Sequence, residues 1–281
     1  MSVLGFDTSN YTTSVAYFDG QDGVNCSQLL PVKQGELGLR QSDAVFHHTK
    51  SLPELSGRLF SHVRDQQFTA VGVSTRPRAV EGSYMPCFMV GYSHAKLIAD
   101  MLKVPLVEVS HQQGHVAACL WSAGRMDLMD QPHLAWHLSG GTTELLLVEP
   151  EGKNVRCTRI GGTTDISAGQ LIDRTGVMLS LPFPAGKHLD ALSREAVGRE
   201  VFKVKCPGME FSLSGVQNKV QQFYERNTDA AETAAYALRC VAHAVHTATC
   251  NALKQYPGLE VVFSGGVASN SMLRAVMADL D

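Results

Sequence analysis

The chain has 281 residues, of which 44% are hydrophobic and 18% charged, with a formal net charge of −3. That length suits two domains of ordinary size, and the composition supplies a full core and excludes a disordered chain. The charge excludes a nucleic-acid binder that works by bulk positive charge, so such a partner would need a local basic strip.

In chain order, short β-branched or apolar runs bounded by turn residues predict strands over residues 3–6 and 14–18. A helix over 52–64, a strand over 70–73, a helix over 88–102 and a strand over 105–109 follow. Three more strands are predicted at 134–138, 144–148 and 155–160. Helices are then predicted at 168–179, 216–225 and 229–255, with a strand at 260–263 and a closing helix at 271–280. Asp229, three residues before Glu232, reads as a capping box opening the longest helix. Strands alternating with helices predict an α/β fold with helices on the faces of a mixed or parallel sheet.

Residues 4–15 (Leu-Gly-Phe-Asp-Thr-Ser-Asn-Tyr-Thr-Thr-Ser-Val) are echoed without a gap by residues 134–145 (Leu-Ala-Trp-His-Leu-Ser-Gly-Gly-Thr-Thr-Glu-Leu), an offset of 134 − 4 = 130. Both read as strand, small polar turn with paired threonines, and strand, and both run on to an acidic-Gly tip, Asp19-Gly20 and Glu151-Gly152. One fold unit present twice predicts two facing lobes, 1–128 and 129–281, whose turns meet at a cleft.

The seven cysteines are odd in number and widely spaced, which argues against a disulfide framework and a thiolate zinc site and for a reducing cytosol. No apolar run reaches the ~20 residues that span a bilayer, so a cytoplasmic protein with no membrane partner is expected. Lys33, Arg40, His47, His48, Lys50, Arg76 and Arg78 form a loose basic strip, or simply scattered solvated charges.

Ser139-Gly140-Gly141-Thr142-Thr143 has the composition of a turn that aims N–H groups and hydroxyls at one anion, with Asp7-Thr8-Ser9 as its counterpart. A plain hairpin turn would use the same residues. Gly161-Gly162 ahead of a helix, and Gly265-Gly266 between a strand and a helix, strengthen the case for an adenine nucleotide. His111 and His115, four residues apart, fall on one helix face and within reach of one metal ion, although surface histidine pairs are common.

The order of motifs along nearly the whole chain resembles the tRNA threonylcarbamoyladenosine transferases, formerly called O-sialoglycoprotein endopeptidases. The matching residues are Asp-Thr-Ser (7–9), His-x-x-x-His (111–115), Leu-Ser-Gly-Gly-Thr-Thr (138–143), Ala-Gly-x-x-x-Asp (168–173) with Leu-Pro-Phe-Pro-x-Gly (181–186), Phe-Ser-x-Ser-Gly (211–215) and Ser-Gly-Gly-Val-Ala-x-Asn (264–270). The resemblance implies the duplicated actin-like, Hsp70-like, sugar-kinase-like fold, with two lobes around a nucleotide. It implies iron or zinc on His111 and His115, with Ser9 joining them as a candidate catalytic residue. His137, Leu138, Ser139, Gly140 and Gly141 would line the phosphates or the acyl group. Asp173 would take the ribose hydroxyls, Gly186 and Asp190 would flank the nucleoside, and Asn270 would touch it. The nucleotide would be ATP or threonylcarbamoyl-adenylate. The acceptor would be tRNA, and the partners a paralogous actin-like subunit and an ATPase subunit of a tRNA-modification complex.

Three departures stand against the family pattern. Tyr11 and Thr12 occupy the place of an acidic pair, removing a proposed general acid or base. Residues 74–82 replace a segment rich in Gly and Pro. The sequence stops at Asp281, where the family continues with a tail carrying an Asp that completes the metal site. These changes point to a divergent paralogue or a truncated member. They leave two other functions open: a non-catalytic nucleotide-binding scaffold, and a carbamoyltransferase acting on a small molecule. Proteolysis is disfavoured, because His-x-x-x-His lacks the Glu of a His-Glu-x-x-His protease.

Overall fold

The computed structural model describes residues 2–9, 11–31, 39–63 and 67–278. The chain divides into two units, Met1–His115 and Val116–Asp281, a division that falls ahead of the residue-128 boundary suggested by the sequence echo.

The first unit carries β1 (Ser2–Asp7), β2 (Thr12–Phe18), β3 (Gly23–Leu29), α1 (Gln41–His62), β4 (Phe68–Arg76), α2 (Phe88–Leu102), β5 (Leu106–Ser110) and the start of α3 (His111–Ser122). Its sheet runs β3-β2-β1-β4-β5, with β1 antiparallel to β2 and parallel to β4. Along β1 burial alternates, so Leu4 and Phe6 enter the core with Leu52, Leu55 and Leu59 of α1. Asp7 closes the strand on its opposite, half-covered face.

The second unit carries β6 (His133–Leu138), β7 (Thr143–Glu151), β8 (Asn154–Thr163), α4 (Ala168–Met178), α5 (Gly186–Ser193), β9 (Glu210–Phe211), α6 (Ser214–Asn227), α7 (Ala230–Gln255), β10 (Val261–Ser264) and α8 (Ser271–Met277). Its sheet order is β10-β6-β7-β8-β9. The sequence echo is also an echo of register. Leu4 pairs with Tyr17 and Asp7 with Ser14, while Leu134 pairs with Leu147 and His137 with Glu144, each 130 residues on. In both units a long helix, α1 or α7, precedes a strand that lies parallel to the first, β4 or β10. The α7 helix buries an alanine- and valine-rich face (Ala237, Val241, Ala244, Val245, Ala248) against Trp136, whose Nε1–H donates to Thr249 Oγ1 at 2.9 Å.

All eight strands expected from the sequence are present within a few residues of their expected ends. Several details differ. The first helix starts at Gln41, not 52, and carries Pro53 in its interior. Its early core-facing positions are Ala44 and His48, which give no apolar period to read. His48 is fully buried with Nδ1 2.8 Å from Thr13 Oγ1, so it is no part of a basic surface. Lys33, residue 64 of the expected helix and Leu280 lie outside the described residues. Gly161 and Gly162 belong to β8 rather than to a turn. The capping box at Asp229 is half formed: its Oδ1 accepts the Glu232 N–H at 3.0 Å. The Glu232 carboxylate instead accepts the N–H groups of Val197 and Gly198, both at 2.8 Å. Strand β3 went unpredicted because only Cys26 on it is buried; β9 has two residues and α5 eight, too short for a periodic signal.

Candidate functional site

In the first unit the C-terminal ends of three neighbouring parallel strands deliver Asp7 (β1), Ser74 (β4) and Ser110 (β5), the last leading directly into His111. Strand ends of this kind are where open α/β sheets place their ligands. A reciprocal cap fixes the start of α3: Gln113 N–H donates to Ser110 Oγ at 3.2 Å, and Ser110 N–H donates to Gln113 Oε1 at 2.8 Å. His111 and His115 then lie on one face, as their spacing predicted, with Nε2 atoms 2.8 Å apart and ring centroids 4.2 Å apart. His111 Nδ1 is 2.8 Å from Asp7 Oδ2.

The rest of the Asp-Thr-Ser turn has divided duties. Ser9 N–H donates to Asp7 Oδ1 at 2.8 Å and Ser74 Oγ to Asp7 Oδ2 at 2.7 Å. Burial pushes the Asp7 carboxyl up, and the hydrogen bonds from His111, Ser9 and Ser74 outweigh it, holding the group at about 2. Thr8 is fully buried and faces away: its hydroxyl donates to the Cys87 carbonyl and accepts the Gly91 N–H, tying the turn to α2. Ser9 is buried, and its backbone makes its described contacts, the N–H to Asp7 and the carbonyl to the Thr12 N–H at 3.1 Å.

In the second unit, His137 and Leu138 end β6 and lead into the turn 139–142, closed by Ser139 N–H to the Thr142 carbonyl at 2.8 Å. This turn sits on the start of α4. Ser167 Oγ donates to the Gly140 carbonyl at 2.6 Å and Ala168 N–H to Thr143 Oγ1 at 2.8 Å. Gly169 lies so close to Gly140 and Ser139 that a Cβ there would overlap their backbone. By contrast a Cβ on Gly140, Gly141 or Gly266 would meet nothing within 4 Å, so these three leave backbone open to an approaching group.

Asp173 on α4 accepts the Ala185 N–H at 2.8 Å through Oδ1, which brings it beside Gly186 at the start of α5. Asp190 on α5 accepts the N–H and hydroxyl of Ser271 at 3.0 and 2.7 Å. Burial pushes its carboxyl up, but Ser271 and the Arg194 guanidinium outweigh that and hold it below the usual range. Asn270 caps α8, its Oδ1 accepting from Met272 and Leu273 N–H, both at 3.1 Å. The expected nucleotide residues of this unit thus form linked neighbours, but Asp190 and Asn270 are engaged in holding the start of α8. The Phe-Ser-x-Ser-Gly motif serves the fold: Ser212 and Ser214 hydroxyls both donate to the exposed Asp165 carboxylate, which these bonds hold low against what burial it has.

Gly265 has φ 91° and ψ 162°, and a Cβ there would overlap the Leu138 carbonyl. Gly265→Ala is therefore expected to cost about 2–3 kcal/mol in a denaturant melt, from backbone strain and overpacking. A loss under about 0.5 kcal/mol would show the close approach to be unimportant.

Sequence reasoning missed Ser74, Ser110, Gln113 and the link from Asp7 to His111. The Ser-x-x-Gln pattern at 110–113 was a legible helix-start signal; the Asp7–His111 contact, 104 residues apart in sequence, had none. Among the described residues no third His, Cys, Asp or Glu joins a metal-binding group. None of their helices is long and apolar enough to cross a membrane.

The TsaD family model, described as tRNA N6-adenosine threonylcarbamoyltransferase, matches residues 34–281. Relatives with that name include one from Carboxydothermus hydrogenoformans, 30% identical over 290 residues, covering 99% of this chain and 83% of that protein. One from Streptococcus suis is 31% identical over 293 residues (98% and 83%), and one from Archaeoglobus fulgidus 27% over 278 (99% and 81%). Among solved structures, full-length HypF in its phosphate- and nucleotide-bound form aligns with TM-score 0.61 at 15% identity, over 99% of this chain and 50% of its own. Component A of the Acidaminococcus fermentans (R)-2-hydroxyglutaryl-CoA dehydratase gives 0.55 at 14% identity (99% and 88%). The structural likenesses show the actin-like, sugar-kinase-like fold. By the family match and the near-full-length relatives, the chain belongs to the tRNA N6-adenosine threonylcarbamoyltransferase family.

Proposed function

We propose that this chain transfers the threonylcarbamoyl group of threonylcarbamoyl-adenylate to N6 of the adenosine beside a tRNA anticodon, using an iron or zinc ion held by His111 and His115. The observation that carries this reading is the family match over residues 34–281 together with an intact histidine pair whose Nε2 atoms lie 2.8 Å apart. In the reaction the adenosine N6 bonds to the carbamoyl carbon, the bond from that carbon to the phosphate oxygen breaks, AMP leaves, and N6 gives up a proton.

The second unit supports nucleotide binding. Gly140, Gly141 and Gly266 offer backbone that phosphates can approach, next to His137, Leu138 and Ser139. With Asp173 Oδ1 held on Ala185 N–H, Oδ2 is the oxygen we assign to the ribose, beside Gly186. Asp190 and Asn270 hold the wall of the nucleoside site through α8.

The histidine pair supports the metal part of the reading. Two imidazole nitrogens suit iron or zinc, and a catalytic ion keeps positions for substrate beyond its protein ligands. When bound, the ion supplies Lewis-acid polarisation of the acyl carbonyl. Ser9 lies in the turn that holds Asp7 against this pair. Arg76 and Arg78 are exposed on either side of Pro77, whose carbonyl accepts the Gln112 N–H beside His111, and we assign them to tRNA phosphates. A tRNA acceptor places the protein in the cytoplasm, with a paralogous actin-like subunit and an ATPase subunit as its partners.

A second reading, a scaffold that binds nucleotide without turnover, is favoured by Tyr11 and Thr12 in the place of the acidic pair. Loss of a general base costs about 10²–10⁴ in rate, so slow transfer is expected unless another group takes the proton. Mass spectrometry of tRNA nucleosides from cells lacking this gene and any paralogue separates the two. Complementation should restore threonylcarbamoyladenosine; its absence with the protein present and folded favours the scaffold.

A further inference from the structure

The Asp7 carboxylate accepts three hydrogen bonds, and only one comes from a side chain of the histidine pair. Ser9 N–H occupies Oδ1, while Ser74 Oγ and His111 Nδ1 share Oδ2. The carboxylate therefore lies behind the His111 ring, on the Nδ1 side, and not beside the Nε2 atoms that face each other. An ionised carboxylate can only accept, so Nδ1 of His111 must carry the proton, and a neutral imidazole so protonated presents Nε2 as a lone pair. Ser74 and the Ser9 backbone hold the carboxylate still, and the cap between Ser110 and Gln113 holds the start of α3 still. The ring is thus gripped from two strand ends and one helix cap.

We propose that Asp7 is the positioning residue of the histidine pair: it fixes His111 as the Nδ1–H tautomer and turns its Nε2 lone pair toward His115 Nε2, where a divalent transition metal binds. This rests on the metal reading above and assigns Asp7 a role other than that of a ligand. A carboxylate that accepts the second N–H of a ligating histidine raises the ligand's basicity and fixes its orientation. The Asp7 and His111 side chains are about a third exposed, so as a plain ion pair the contact would contribute little to stability. Its removal should therefore register in the imidazole and in metal uptake more than in the melt.

The test uses the full chain, metal-free, with ¹⁵N-labelled histidine. Two-bond nitrogen–proton spectra, assigned with His111→Ala, should show His111 as the Nδ1–H tautomer in the wild type. In Asp7→Ala that preference should be lost, and Zn²⁺ affinity, measured by chelator competition, should fall about 10- to 100-fold. Asp7→Asn, which keeps an acceptor oxygen but no charge, should fall between, and it serves if Asp7→Ala does not fold. A wild-type His111 in the Nε2–H form, a tautomer indifferent to both variants, or Zn²⁺ affinity unchanged in both would overturn the proposal. Wild-type protein that binds no Zn²⁺ yet shows the Asp7-dependent tautomer would leave Asp7 as the group that sets His111 and would remove the metal reading.

Discussion

Replacing His111 and His115 together by alanine is expected to remove bound metal and threonylcarbamoyl transfer while leaving adenine-nucleotide binding in place. In the proposed site the two rings hold the ion, and among the described residues no group of three or more His, Cys, Asp or Glu stands in for them. His115 is exposed and His111 about a third exposed, which keeps the cost to folding small. The residues assigned to the nucleotide belong to the other unit and have their own supports in α4, α5 and α8. Elemental analysis of anaerobically purified protein checks the first part: near-stoichiometric iron or zinc in the wild type and traces in the double variant. Equal trace metal in both would refute the assignment.

Asp173→Ala is expected to weaken ATP or AMP binding by about 1–3 kcal/mol, roughly 10- to 100-fold, the usual loss for hydrogen bonds to a charged group. Two effects act together. The ribose loses its carboxylate, and the Ala185 N–H loses its acceptor, so the loop before Gly186 is no longer held to α4. Asp173→Asn keeps an oxygen for Ala185 and separates them: a loss in Asn nearly as large as in Ala assigns the effect to the charge at the ribose. Calorimetry at fixed salt is the check. Affinity unchanged in both variants would remove Asp173 from the nucleotide site.

The duplicated frame was legible in the sequence because the two hairpins repeat at one offset, and strand pairing carries that offset into three dimensions residue by residue. The histidine pair was legible because four residues is a helical spacing, whereas Ser110 and Gln113, whose reciprocal cap starts that helix, went unread. The glycines were legible as a group but not in their parts. Gly162, Gly169 and Gly265 are needed by the fold, each pressed against the backbone of residues 138–144, whereas Gly140, Gly141 and Gly266 stand open. Single-sequence reading sees all six alike, since what separates them is a neighbour far off in the chain. The same reason hid Asp7 behind His111 and the part of Asp165 in holding Ser212 and Ser214. The start of α1 escaped because its buried positions are Ala44 and His48, and a buried histidine whose Nδ1 meets Thr13 Oγ1 leaves no apolar period.

The most direct measurement combines purified threonylcarbamoyl-adenylate, unmodified tRNA, the full-length gene product and the host's partner proteins, and counts threonylcarbamoyladenosine against time by mass spectrometry. Modified adenosine should accumulate with the wild type and vanish with His115→Ala. Intact nucleotide binding with no modified tRNA, or the same rate with and without His115, would contradict the proposed function.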